Sequence, residues 1–275
     1  MANLKNEITI LGSGTSTGIP MLGCQCSVCQ SQEVKNRRLR TSILIKTKKD
    51  MHILIDTSVD LRTQFLNNNI TRVDMAFITH DHADHCHGID DLRPLCFGPP
   101  ATSIPIFTHQ QCAKSLALKF PYIFKAHELF NKERPPLGGG IPKLTLHTVD
   151  ISSKIKYLGE EFEFLLLEHG YTKTLGIIHE NFAYIIDCHE ISDAQIDRLR
   201  EKELDLLIID CVTDQEHKTH LSRDKAFGYI ERISPKKAGL IHMNHNLEHE
   251  KLLQDAQDHF SFPVFPVFDT QHITY

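Results

Sequence analysis

Several things are missing from this 275-residue chain, and each absence removes a class of function. No apolar run is long enough to span a bilayer, so a membrane protein is not expected. The opening Met1-Ala2-Asn3-Leu4-Lys5-Asn6-Glu7 has no apolar core of an export signal, and the expected location is the cytoplasm. Positive charge is not in excess: 30 Lys and Arg stand against 35 Asp and Glu, for a net charge of -5. That balance argues against a chain whose main task is to grip nucleic-acid backbones. There is no low-complexity tract. The glycine-rich stretch near the start has no lysine after it and is not a phosphate-binding P-loop.

What is present is a well-patterned globular chain. Apolar residues make up 41% of it, enough for a sizeable core. Short apolar, β-branched runs at 8–11, 42–46, 53–56, 74–78, 104–108, 162–167, 174–179, 182–187, 206–210 and 238–241 predict strands. Helical patterns fall at 60–67, 88–95, 110–120, 193–203, 222–233 and 247–259, with Ser192 and Ser222 placed as N-caps. Strands dominate the first half, later strands alternate with helices, and the pattern partly repeats after residue 160. That order predicts an α/β layered sandwich, two face-packed sheets with helices outside. The stretch 131–142, with its Pro-Pro and Gly-Gly-Gly, is expected to be a mobile loop, not a linker, so residues 1–275 are expected to form a single domain.

Histidine and cysteine carry the chemical signal. Cys24, Cys26 and Cys29 crowd into six residues, and clustered thiols in a reducing compartment suggest a metal site. The scattered Cys86, Cys96, Cys112, Cys188 and Cys211 are expected to be small buried hydrophobes. The buried run 75–78 delivers His80-Asp81-His82-Ala83-Asp84-His85 at its end. His80 and His82, two apart, project to one side of an extended chain, and Asp84 and His85 follow as the backbone turns. Four candidate ligands thus fan out in two directions, which suits two metals a few Å apart and hence hydrolysis. Three later strand ends offer the remainder: His169 after 165–167, Asp187 after 184–186, and His242 after 240–241.

The run Thr79-His80-x-His82-x-Asp84-His85, followed by His169-Gly170, Asp187 and His242, resembles the metallo-β-lactamase superfamily over nearly the whole chain. The resemblance implies an αββα sandwich with mixed sheets. It implies one metal, zinc or manganese, on His80, His82 and His169, and a second on Asp84, His85 and His242, with Asp187 bridging. A carboxylate bridge, in place of the cysteine often found in true lactamases, counts against antibiotic hydrolysis. The stretch Gly12 to Pro20 followed by Gly23-Cys24-x-Cys26-x-x-Cys29 resembles the phosphodiesterase branch, and within it the phosphoribosyl 1,2-cyclic phosphate phosphodiesterase family. That likeness implies a structural zinc on Cys24, Cys26, Cys29 and His245. It also makes His220 a histidine that is not a ligand, suited to protonating a leaving alkoxide. His217 is a weaker competitor for that role.

The expected enzyme is therefore a metal-dependent phosphoric diester hydrolase. A hydroxide bridging two metals would attack phosphorus in a small cyclic phosphodiester, with Asp187 and His220 at the reacting centre and a phosphomonoester as product. A phosphorylated sugar or nucleotide is the expected substrate, and Arg93 and Arg40 are candidate phosphate clamps because guanidinium meets phosphate in a two-point fork. Two alternatives compete. A tRNA 3′-end endonuclease would share the ligands but should carry a basic protruding arm, and 131–142 is short and weakly charged. A metal-binding scaffold without catalysis would not need His220. Oligomeric state is not legible, and a homodimer is left open.

Overall fold

A computed structural model describes residues 5–97, 102–131, 133–136 and 140–275. Residues 132 and 137–139 of the expected 131–142 loop lie outside that set. The first six strands are β1 (Glu7–Gly12), β2 (Ser42–Lys46), β3 (His52–Ile55), β4 (Met75–Phe77), β5 (Ile104–Thr108) and β6 (Leu144–Thr148). Seven more follow: β7 (Ile155–Tyr157), β8 (Glu160–His169), β9 (Thr172–His179), β10 (Phe182–Ile185), β11 (Leu206–Asp210), β12 (Ala238–Ile241) and β13 (Val264–Pro266). The last, β14 (His272–Thr274), returns to pair with β1.

Two seven-stranded sheets result, ordered β14-β1-β2-β3-β4-β5-β6 and β13-β12-β11-β10-β9-β8-β7. Each has three antiparallel pairings on one side and three parallel ones on the other. The parallel strands read as continuous apolar runs, Leu206-Leu207-Ile208-Ile209 for example, because both faces are covered. Between the sheets lie Ile8, Ile43, Ile53, Phe77, Phe162, Phe164, Tyr184 and Ile208. Outside the first sheet Leu61, Leu92, Cys112 and Leu116 pack the helices down, and outside the second Ile196, Leu199, Phe227, Ile230 and Leu252 do the same. These four layers are the αββα sandwich expected from the sequence.

The helices start where their caps dictate. Ser192 forms a capping box with Gln195 ahead of the Asp193–Arg200 helix, and Ser222 accepts from the Lys225 N–H ahead of Arg223–Ile233. The segment expected as an ordinary helix at 88–95 is instead a three-residue-per-turn helix, Ile89–Cys96, with Pro94 inside it. Proline has no N–H to continue an α-helical ladder. Four strands escaped the sequence reading, β6, β7, β13 and β14, which are the four sheet edges and only three to five residues long. Among the described residues, no helix is long and apolar enough to cross a membrane.

Candidate metal centre

β4 is fully buried, and the chain leaves it through Ile78 and Thr79 to His80. His82 immediately precedes the single-turn Ala83–Cys86 helix, which holds Asp84 and His85. Gly88 lets this turn sit tightly on the sheet. Its N–H donates to the Thr57 carbonyl at 2.9 Å, and a Cβ there would lie 1.9 Å from the Ser58 oxygen. The remaining candidates come from the second sheet. β8 ends on His169, and Gly170, at φ +59°, turns the hairpin into β9. Asp187 follows β10 at φ 48° and His242 follows β12 at φ 65°, left-handed positions that Asp and His tolerate better than most residues. At both, the chain breaks from the sheet as the side chain joins the cluster.

The side chains converge on Asp187. His80, His85 and His169 place Nε2 at 3.5, 3.4 and 3.6 Å from its Oδ2, and His242 places Nε2 at 3.4 Å from Oδ1. His80, His82, His169 and Asp187 form one group of donor atoms within 4.8 Å of one another; Asp84, His85 and His242 form a second. Buried His80 Nε2, His85 Nε2 and Asp187 Oδ1 have no hydrogen-bond partner among the described residues. A buried polar atom left unsatisfied costs about 1–3 kcal/mol. Three of them gathered at one carboxylate, with a second carboxylate beside them, fit divalent cations.

Charge is finely divided here. Burial opposes ionisation of His85, yet Asp84, Asp187 and Asp56 together hold it well above its ordinary value. Burial and the neighbouring His85 keep His80 well below. Burial would raise Asp187, but His242, His85 and His220 hold its carboxyl well below the usual range. Asp84 is likewise brought to about 2 against its burial, chiefly by His85.

Each imidazole is oriented from behind, mostly by residues that the sequence reading passed over. Asp56 Oδ2 accepts from His85 Nδ1 at 2.8 Å, and its Oδ1 accepts from the Thr79 N–H at 2.7 Å. The Thr41 hydroxyl sits 2.8 Å from His242 Nδ1, the Thr219 carbonyl 2.9 Å from His169 Nδ1, and the Tyr171 hydroxyl 3.2 Å from His82 Nε2. Such partners fix which ring nitrogen faces a metal. His220 has the same kind of partner: Asp210 at the end of β11 takes its Nδ1 at 3.2 Å. The His220 ring stacks on His242 with centroids 5.2 Å apart. Asp56 and Asp210 did carry a signal, since each follows a buried apolar strand as Asp187 does.

A second cluster lies on the same loop system. Cys24, Cys26 and Cys29 place Sγ at 3.1, 3.6 and 3.7 Å from His245 Nδ1. A tetrahedral zinc with bonds of about 2.3 Å to sulfur and about 2.0 Å to nitrogen has S···N edges of about 3.5 Å. The donor set fits that ion. Cys26 caps the short Ser27–Gln30 helix by accepting from the Cys29 N–H, which holds its thiol down, while burial lifts Cys29 to about 11. Met243 N–H donates to the Ser13 carbonyl and Thr15 N–H to that of Met243, at 3.0 and 3.1 Å. The N-terminal loop is thereby stitched to the segment that delivers His242. The other five cysteines are buried.

The proposed clamps are not brought together with these groups. Arg40 is held by both oxygens of Asp60, at 3.0 and 3.2 Å, and its Nε donates to the Ser16 carbonyl. Arg93 pairs with Asp90 at 3.3 Å. Neither lines the cavity of about 320 Å³ over the cluster, whose walls include His82, Asp84, Tyr171, His220 and His242. A larger groove of about 420 Å³ between the Arg223–Ile233 and His249–His259 helices is remote from this chemistry.

An αββα sandwich with histidines and carboxylates gathered at its strand ends defines a class, the metal-dependent hydrolases built on this fold. The sequence profile of the beta-lactamase superfamily domain matches residues 51–243. The crystal structure of a diphosphatase from the PhnP family is 30% identical with a TM-score of 0.86, covering 98% of this chain and 97% of that one. Zinc-bound PqqB from Methylobacterium extorquens superposes at a TM-score of 0.77 over 97% of this chain and 99% of that one; at 15% identity it speaks for the fold alone. An octanoyltransferase of Porphyromonas gingivalis is 33% identical over 251 residues, 91% of this chain and 48% of its own length. The chain spans less than half the length of the curated relatives it matches. It belongs to the metallo-β-lactamase superfamily, in the phosphodiesterase branch that holds the PhnP family.

Proposed function

We propose that this protein is a dinuclear phosphodiesterase that opens a small cyclic phosphodiester, a phosphorylated ribose with a cyclic phosphate being the model substrate. The observation that carries the reading is the convergence of four imidazole Nε2 atoms on the two oxygens of Asp187, with buried donor atoms left unpartnered. In this reading His80, His82, His169 and Asp187 would hold one divalent ion and Asp84, His85 and His242 the other. Cys24, Cys26, Cys29 and His245 would hold a structural zinc. Bound ions of this kind lower the pKa of water and neutralise charge on phosphoryl oxygens.

The chain's own residues supply the rest. Asp210 accepts from His220 Nδ1, so the proton available to the cavity is on Nε2. Burial pulls the His220 imidazole down, but Asp187 and Asp210 outweigh it and lift it to about 9. With Asp187 engaged as a ligand, Asp210 would remain to stabilise the protonated ring. His220 Nε2 then gives its proton to the departing alkoxide, and Asp210 holds the ring in place as it does so. Asp56 and Thr41 keep the His85 and His242 rings aimed while charge develops.

A second reading, hydrolysis of a P–O–P linkage, is favoured by the likeness to the PhnP-family diphosphatase. The name octanoyltransferase belongs to a protein about twice as long, and the described residues lining the cavity over the cluster include no thiol or lysine to carry an acyl group. A panel of a ribosyl cyclic phosphate, a 2′,3′-cyclic nucleotide, a diphosphate and a precursor tRNA separates these readings. The ribosyl substrate should turn over fastest. His220→Ala should lower its kcat by about 10²–10⁴-fold with metal content intact. Loss of metal in that variant would make His220 a ligand, and cleavage of the tRNA alone would replace the reading.

A further inference from the structure

A second cavity, of about 250 Å³, adjoins the first. Its walls include Thr15, Ser16, Thr17, His217 and Asn244, and it shares Ser16 and His220 with the cavity over the metal cluster. His220 is thus the partition between the two spaces. With its Nδ1 bound to Asp210, only Nε2 can meet the leaving oxygen, so that oxygen must lie beside His220. The adjoining cavity shares His220 and so opens beside the same place.

The chemistry of its walls is distinctive. Three consecutive hydroxyl residues lie beside Met21 and Val212, and neither lysine nor arginine is among the described lining residues. Asn244 accepts from the Asn246 N–H through Oδ1, which leaves its amide Nδ2 as a donor. The Thr219 N–H donates to His217 Nδ1, which leaves Nε2 of that ring to donate. The hydroxyl loop is also built to keep its shape. Gly18 N–H donates to the Thr15 carbonyl at 2.9 Å, and Arg40, anchored on Asp60, donates to the Ser16 carbonyl at 3.2 Å. A phosphate in this space would lose its hydration and meet, among the described lining residues, no lysine or arginine, while the His220 ring is engaged by Asp210 and turned to the leaving oxygen. A sugar would exchange water for hydroxyl, amide and imidazole partners.

Resting on the phosphodiesterase reading, we propose that this cavity receives the hydroxyl-bearing ring that carries the leaving oxygen, in preference to a second phosphoryl group, and that Thr17, His217 and Asn244 set this preference. Arg40 is a positioning residue for the loop. It acts on substrate only through the Ser16 carbonyl.

The test uses the metal-loaded full chain and three substrates: a ribosyl cyclic phosphate, bis(p-nitrophenyl) phosphate, whose aryl leaving group needs no sugar contacts, and a nucleoside diphosphate. Asn244→Ala and Thr17→Val should each lower the ratio of kcat/KM for the ribosyl substrate to that for the aryl ester by about tenfold or more, the loss expected when a polar site is stripped of one partner. Thr17→Lys, which places a cation in the cavity, should move the ratio of diphosphate to ribosyl turnover in favour of the diphosphate. Ratios that stay within twofold in all three variants, with the wild type cleaving both diesters, would overturn the subsite alone. A wild type that cleaves neither diester would overturn the phosphodiesterase reading beneath it.

Discussion

β3 and β10 occupy the same place in their two sheets: each is fourth from the antiparallel edge and the first strand of the parallel set. Each is followed by an aspartate in left-handed backbone, Asp56 at φ 65° and Asp187 at φ 48°. The two carboxylates nevertheless do different work. Asp56 is completely buried, and its oxygens are committed to the Thr79 N–H, the Thr79 hydroxyl and His85 Nδ1. Asp187 is also buried, but it lines the cavity, faces four imidazole Nε2 atoms, and has an oxygen with no hydrogen-bond partner. The fold supplies the same strand-end position twice. The neighbours decide whether the carboxylate orients a histidine from behind or faces the cavity among four of them.

That comparison can be broken by isosteric changes at the two positions. The larger effect is expected from Asp187→Asn, which removes a charge shared by both ligand groups. Activity on a phosphodiester should fall by about 1,000-fold or more, the scale of several kcal/mol of lost charge stabilisation. Elemental analysis should show that the cluster no longer retains its full metal content, while circular dichroism stays that of the wild type. Asp56→Asn should be milder, because a ligand is loosened and not lost. A drop of about 10–100-fold in metal affinity is expected, read as a shift in the metal concentration that restores activity. Full recovery at saturating metal for Asp56→Asn, and no recovery for Asp187→Asn, would sharpen the distinction. Equal behaviour of the two variants would erase it.

The same contrast explains what was legible in the sequence. His80, His82, Asp84, His85, His169, Asp187 and His242 stood out because candidate donor residues cluster in a run or terminate buried strands, and these patterns are local. Asp56, Asp210 and Thr41 were not picked out, because their roles depend on partners 29, 10 and 201 residues away. A strand-end aspartate looks the same before the chain folds whether it will face a metal or a histidine. The layered fold was legible in the central strands, where burial on both faces leaves unbroken apolar runs. It was lost at β7, β13 and β14, three-residue strands at or beside the sheet edges, where little apolar patterning is required. Arg40 and Arg93 are each paired with a nearby aspartate, a commitment that the sequence pattern does not display.

Metal stoichiometry tests the account most directly. The purified chain should be stripped with a chelator, reloaded by titration, and followed by elemental analysis alongside turnover of bis(p-nitrophenyl) phosphate. One zinc should resist the chelator and be lost in Cys26→Ser, and activity should rise until two further ions are bound. Saturation of activity at a single added ion, or three bound ions without phosphodiester cleavage, would contradict a dinuclear phosphodiesterase centred on Asp187.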